Sequence, residues 1–328
     1  MAVDITRPAD WKKKKKQLVN KQIKHQVMLR GQYTRVAKQA VKYLSDMKAA
    51  VKEMMEEEIQ NKNWKSSNKL KRTLDNIDRQ IKDQYLAMGL NLTENLVELG
   101  EYEAEFAGEM YGAPFSSEDI DQMSIYSLVT DDPFDGKILS EWLTEQELST
   151  QTRVKQTIRL GIVNGLTNQQ IMSAMFSDEN NPFVGSKRSA ETLVRTAAAH
   201  VTANADLAAF EQGGIEKYQI SSVLDNRTTK ICAALDGKIY RVDDEKRKVP
   251  PFHPNCRSTM IAVFDDGPEV EQTFEQWLAD QDEADQIKVL GAERHKMWKS
   301  GLPVDRFVDL DTLNVIPLSE LKKQERAR

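Results

Sequence analysis

Between residues 10 and 110 apolar side chains recur every three or four positions. Tyr33, Val36, Ala40, Leu44, Met47, Val51 and Met54 form one series, and Leu70, Leu74, Ile77, Ile81, Tyr85 and Met88 form a second. That spacing predicts helices with an apolar stripe close to the heptad seam of packed helices. Asn61-Lys62-Asn63 and Ser66-Ser67-Asn68 interrupt the pattern, which predicts a two-helix hairpin in place of one long rod. Gly89 and Gly100 then loosen a third helical stretch that ends near Tyr111. Residues 112–137 are rich in turn formers and read as a connector. Helices are predicted again over 138–163 and 167–176, the second announced by Thr167 with Gln170 three residues on, a capping-box pair. Asp178 to Pro182 marks a break. A helix over 190–212 follows, closed by Gly213-Gly214.

Past residue 213 the periodicity shortens. Tyr218, Ile220 and Val223, then 238–242, then 260–264, read as short strands separated by Asp-Asn and Asp-Gly turns. The expected architecture is mostly α with a small α+β module. A helical arm over 1–111 and a connector over 112–137 lead to a helical linker over 138–189. An α+β domain with short antiparallel strands fills 190–328.

Charge refines this picture more than bulk composition does. The 328 residues are 40% hydrophobic and 30% charged, with 46 basic against 51 acidic side chains. Residues 1–50 hold 13 basic and 3 acidic residues, whereas 86–150 hold 15 acidic residues and one base, Lys137. Such blocks set fields and association, not fold. The run Lys12, Lys13, Lys14, Lys15, Lys16 reads either as a solvated, frayed segment or as an arm touching nucleic-acid phosphates. No apolar run of about 18 residues occurs, so no membrane span is expected, and the first residues lack the apolar core of a secretory leader. Two cysteines rule out a disulfide-built scaffold and point to a reducing compartment.

Both cysteines fall in the most informative stretch. It runs Asp225-Asn226-Arg227-Thr228-Thr229-Lys230-Ile231-Cys232, then Leu235-Asp236-Gly237-Lys238, then Pro250-Pro251-Phe252-His253-Pro254-Asn255-Cys256-Arg257. Cys232, His253 and Cys256 are soft and borderline donors of the kind that hold structural zinc, which takes four ligands. Asp225 or His200 would supply the fourth. Two other readings stand beside it: buried small side chains, or a disulfide formed outside the cell. Asp225–Arg257 and Asp236–Arg227 are expected ion pairs, and Pro250-Pro251 fixes an extended approach to the His253 turn. His25 and His295 read as surface residues on charged helices, and His200 as a core or capping residue.

These phrases, D-x-R-T, C-x-x-L-D-G-K and P-P-x-H-P-N-C-R, resemble the signature of the phage Mu F-like minor head proteins, the head morphogenesis family of tailed bacteriophages. The likeness extends upstream through Val194-Arg195-Thr196 and Gly213-Gly214-Ile215, and downstream through Phe274 to Leu278 and Val289-Leu290-Gly291, covering roughly 155–310. In that pattern Arg227, Thr228, Asp236, Gly237, Pro251 and Arg257 are the structural residues. Many members carry C-x-x-C where this chain has Thr229-x-x-Cys232, so one ligand of the four is replaced. The resemblance implies a structural component of the phage head, made in the host cytoplasm and carried in the virion. It implies portal, major capsid and scaffold proteins as partners; the basic start adds packaged double-stranded DNA as a further contact, and the helical stripes add the arm as a route to self-association. It implies no catalysis.

Two alternatives come from other classes. One is a metal-dependent, nuclease-like enzyme, which needs a general-base His beside a metal-bound phosphate; His253 is itself the best ligand. The other is a DNA-binding ejection protein. No phosphate-binding G-x-x-x-x-G-K-[ST], H-E-x-x-H or G-x-S-x-G motif is present.

Overall fold

The computed structural model describes residues 11–60, 64–112, 124–177, 179, 181–264, 269–270 and 272–326. It is mostly α with a small α+β module. Helix α1 spans Trp11–Gln60 and α2 spans Ser67–Met110, and most of the apolar series of each is buried, Tyr33 and Leu70 being half-buried. Within α1 the buried residue near the end of the first series is Met55, not Met54. Gly89 and Gly100 do not divide α2, because packing on both sides of each holds the helix continuous. The expected connector contains helix α3, Ile125–Thr130, and a bridge between Phe134 and Lys137; residues 113–123 of it lie outside the described residues. Helices α4, Leu139–Val163, and α5, Asn168–Phe176, follow. Thr167 caps α5 with Gln170 in the expected reciprocal box. Helix α6, Pro182–Gln212, starts eight residues earlier than the pattern suggested, because Pro182 suits the first turn of a helix.

The chain divides into two compact units, one made of residues 30–99 and 124–198, the other of 1–29, 100–123 and 199–328. The first unit is helical, and polar contacts tie its elements. Tyr85 on α2 bonds Thr150 on α4 at 3.0 Å, and Thr150 bonds Ser186 on α6 at 2.7 Å. Lys155 pairs with Asp78 at 2.8 Å. Trp64 is buried and donates to Asn168 at 3.2 Å.

The second unit holds the strands. Helix α6 ends as the sequence indicated. Gly214 takes φ 67°, Gly214 N–H bonds Glu211 O, and Ile215 N–H bonds Phe210 O, which together make a Schellman stop. Strand β1, Lys217–Ser221, is the centre of a three-stranded antiparallel sheet with β2, Ile239–Arg241, and β3, Thr259–Val263, in the order β2-β1-β3. Tyr218 faces Tyr240 on one side and Ala262 on the other. Between β1 and β2 lies helix α7, Lys230–Leu235, which the strand reading missed. Beyond β3 come α8, Phe274–Ala279, α9, Glu283–Leu290, and α10, Ala292–Lys299. A 3₁₀ turn over Val304–Phe307, the pair β4, Val308–Asp309, and β5, Asn314–Val315, and α11, Leu318–Arg326, complete the described chain. Phe210, Tyr218, Ile220, Leu235, Phe252, Met260 and both cysteines share one buried core.

His25 and His295, expected at the surface, are buried. His295 bonds Gln286 at 3.1 Å. His25 lies 2.6 Å from Glu103, stacks on Phe106 and sits in a polar pocket that includes Asp206 and Gln26. Charged neighbours in sequence concealed both: Lys24 precedes His25, and Arg294 and Lys296 flank His295.

A candidate metal centre in a clamped knob

Helix α7 positions the first cysteine. Thr229 is its N-cap, the Thr229 hydroxyl accepting from Cys232 N–H at 3.3 Å, and the helix turns the Cys232 side chain into the core beside Phe252. His253 and Cys256 come from the tight turn that precedes β3. Cys256 N–H bonds His253 O at 3.1 Å, Asn255 takes φ 57°, and the Pro250–Pro251 bond is cis. The two segments meet at their donor atoms. Cys232 Sγ is 3.0 Å from His253 Nε2 and 3.7 Å from Cys256 Sγ. Thr229 Oγ1 is 2.9 Å from the same Nε2. Both cysteines are free and buried.

The other motif residues clamp the same two segments. Asp225 accepts two bonds from Arg257, at 2.7 and 2.6 Å, and a third from Arg227 N–H at 2.9 Å. These contacts hold the Asp225 carboxyl far below the usual carboxylate range; the Arg257 hydrogen bond is the main cause, and partial burial opposes it. Thr228 Oγ–H donates to Val223 O, closing the turn. The Ser222 hydroxyl lies 2.9 Å from that of Ser258 and donates to Cys232 O at 3.0 Å. Neither serine was singled out by the sequence; their signal is only that each flanks a strand end next to the motif.

Asp236 does not meet Arg227. Its carboxylate accepts from Ser222 N–H and Phe274 N–H, each at 2.6 Å, which joins the end of β1 to the start of α8. Burial lifts Asp236 to about 6 against those two bonds. Arg227 is largely exposed and reaches Asp225 at 3.4 Å. The physical reason is direct: a buried carboxylate takes backbone N–H donors that have no other partner. Gly237 follows at φ 78°, the left-handed turn that returns the chain to β2. Pro251 precedes Phe252, which is buried in the core.

Among the described residues Cys232, His253 and Cys256 form the one group of His, Cys and acidic donors whose atoms all lie within 4.8 Å of each other. Asp225, engaged by Arg257, and His200 are outside it. The donor set fits zinc in two respects. Tetrahedral Zn–S bonds of about 2.3 Å put two sulfurs about 3.8 Å apart, close to the 3.7 Å seen here and far from the roughly 2.05 Å of a disulfide. His253 Nδ1 lies 2.8 Å from Pro254 O, so Nδ1–H donates and leaves the Nε2 lone pair toward the sulfurs. Protonation works against a metal at two of the three donors, since each ligand must give up its proton to bind. The bond from Cys232 holds the Cys256 thiol well below its ordinary range, ahead of the opposing burial and the help of His253. Cys232 is pushed up, chiefly by that same sulfur neighbour and then by burial. Burial disfavours a proton on His253, but Cys256 outweighs it and raises the ring above its usual value. Thr229 Oγ1 stands at the place of the fourth donor that the sequence resemblance implies.

Of the basic run, Lys12, Lys13, Lys14 and Lys16 are exposed on α1, while Lys15 pairs with Glu269 at 3.0 Å. The run is helical, not frayed. No helix of the described residues is long and apolar enough to cross a membrane.

The chain thus joins a small α+β knob, clamped by an ion pair and a Cys/His/Cys cluster, to a set of long helices. Residues 152–261, about a third of the chain, match the family described as Phage Mu protein F like protein, and the match supports a Mu F-like phage head protein family, one of phage head morphogenesis. No curated protein and no solved structure matches the chain.

Proposed function

We propose that this chain is a minor head protein that takes part in prohead assembly at or near the portal vertex, in contact with portal and with capsid or scaffold proteins. It assembles in the host cytoplasm and stays in the virion. The observation that carries the reading is the use of the matched motif. Asp225, Arg257, Asp236 and His253 each spend their polar atoms on contacts inside the knob, the pattern of a docking element held rigid. With both ring nitrogens engaged, His253 is placed as a ligand and not as a general base, which supports a structural role over a nuclease-like one. In this reading Cys232, His253 and Cys256 bind one zinc ion as a staple, whose binding free energy adds to the stability of a small core. Crosslinking of proheads that contain the chain tests the assembly role: adducts to portal are expected, and adducts to the outer capsid surface alone would refute the placement.

DNA contact is a second element, favoured by four exposed lysines on one helical segment. Changing Lys12, Lys13, Lys14 and Lys16 to Gln is expected to flatten the log–log salt dependence of duplex binding by about 3 to 4. An unchanged slope assigns the contact elsewhere. Self-association through the helical arm completes the proposal.

A further inference from the structure

Several helices leave apolar side chains facing solvent, and among the described residues two of them carry pairs four residues apart. On α1, Ile23 and Val27 are 39% and 61% exposed, four residues apart on one face. Lys16 and Lys24 are exposed on that side of the helix. On α2, Leu86 and Leu90 are 62% and 63% exposed, again four apart, and the exposed Glu94 and Glu98 follow on the next turns. Leu86 and Leu90 also line a groove of about 470 Å³ between α2 and the helices α3 and α4. Gly89 sets its depth, since a Cβ there would stand 3.0 Å from Leu143 Cδ1. Asp131 and Glu147 are part of its rim.

The two surfaces are complementary in spacing and in charge. We propose that the α2 groove of one copy receives the Ile23–Val27 face of α1 from a second copy, the helices running antiparallel. Setting Val27 against Leu86 and Ile23 against Leu90 fixes the register. Lys16 then falls opposite residue 97, between Glu94 and Glu98, and Lys24 falls opposite Gly89, beside Asp131 and Glu147. The apolar pairs supply affinity by leaving water, and the flanking charges select the antiparallel direction. The reverse direction would carry Lys16 away from Glu94 and Glu98, toward Arg79 and Lys82. The interface is heterologous: each copy keeps an unused groove and an unused α1 face, so association continues into a ring or filament.

This inference rests on the arm's self-association and not on the head role, so the purified full chain tests it apart from any particle. Sedimentation across a concentration series is expected to show association that weakens as salt rises. Val27→Glu and Leu90→Glu each hold the chain monomeric. An equimolar mixture of the two variants forms a dimer and nothing larger, because each retains the surface that the other lost. Lys16→Glu weakens association several-fold, and adding Glu94→Lys and Glu98→Lys to the same chain restores it. The Lys16 series decides the matter if an apolar variant fails to fold. A wild-type chain monomeric throughout, a mixture that stays monomeric, or a charge reversal that is not rescued overturns the proposal.

Discussion

Asp225→Ala removes the carboxylate that joins the two halves of the knob. Arg257 loses two N–H···O bonds of 2.7 and 2.6 Å, and the turn loses its bond from Arg227 N–H at 2.9 Å. Hydrogen bonds to charged groups contribute about 1.5–3 kcal/mol each when buried. Here the Asp225 and Arg257 side chains are 29% and 27% exposed, so water and salt screen part of that. The expected loss is about 2 kcal/mol for the pair. Asp225→Asn keeps the turn acceptor but not the charge, and should fall between wild type and Ala. Urea titration of the single variants, of Arg257→Ala and of the double variant isolates the pairwise part, expected at about 1–2 kcal/mol at neutral pH. The sign with pH follows from the depressed carboxyl. Its contribution is complete above the unfolded Asp value, about 3.9, and is lost as pH falls below it. Additive single variants at neutral pH, or a coupling that grows on acidification, would refute the clamp.

The buried group around His25 makes the opposite prediction. Burial lifts Glu103 to about 8, with a hydrogen bond from Asp206 acting against it, and burial lifts Asp206 as well. The folded chain keeps a proton that the unfolded chain gives up above about 4.5, so Glu103 costs stability increasingly as pH climbs toward 8. Glu103→Gln should gain on wild type by up to about 1.4 kcal/mol per pH unit across that window and then level off, read from paired denaturant curves; a gap that ignores pH counts against it. Burial also lowers His25 to about 4, with Asp206 opposing and Lys21 assisting, so stability should fall from pH 6.5 toward 4 and His25→Gln should flatten that limb. For the metal, one zinc per chain is expected by elemental analysis, lost in Cys256→Ser and held more tightly in Thr229→Cys when competed with a chelator. Metal-free protein of undiminished stability would reject the staple.

What was legible in the sequence follows from how local each signal is. The stripes of α1 and α2, the Thr167 box and the Gly214 stop are set by neighbours within a turn or two, and they appear where the pattern put them. The pairing of Asp225 with Arg257 was readable because the motif leaves few partners of opposite charge. Helix α7 was not, since six residues between two strands carry too little periodicity to register. The partner of Asp236 was misread because backbone donors have no signature in a sequence. His25 and Glu103 lie 78 positions apart, and neither carries a local sign of the other.

The position of Thr229 raises a question of tolerance: in the proposed zinc staple a hydroxyl stands where a fourth sulfur would bind, yet the segments still meet. Three ties cross between 222–232 and 253–258: Asp225 to Arg257, Ser222 to Ser258, and Thr229 with Cys232 to His253 and Cys256. The first tie to form bears the entropy of closing the intervening loop, and the others then form between segments already held together. Weakening one tie therefore costs less than its isolated strength, because the remaining two keep the loop closed. The consequence is a specific departure from additivity. Asp225→Ala combined with Cys256→Ser should lose more stability than the two single changes added, by about 0.5–3 kcal/mol, the range found for coupled neighbours. The measurement is denaturant unfolding of the four proteins under reducing, zinc-replete conditions. A double variant equal to the sum would mean that the ties act independently, and the tolerance of Thr229 would then need a different cause.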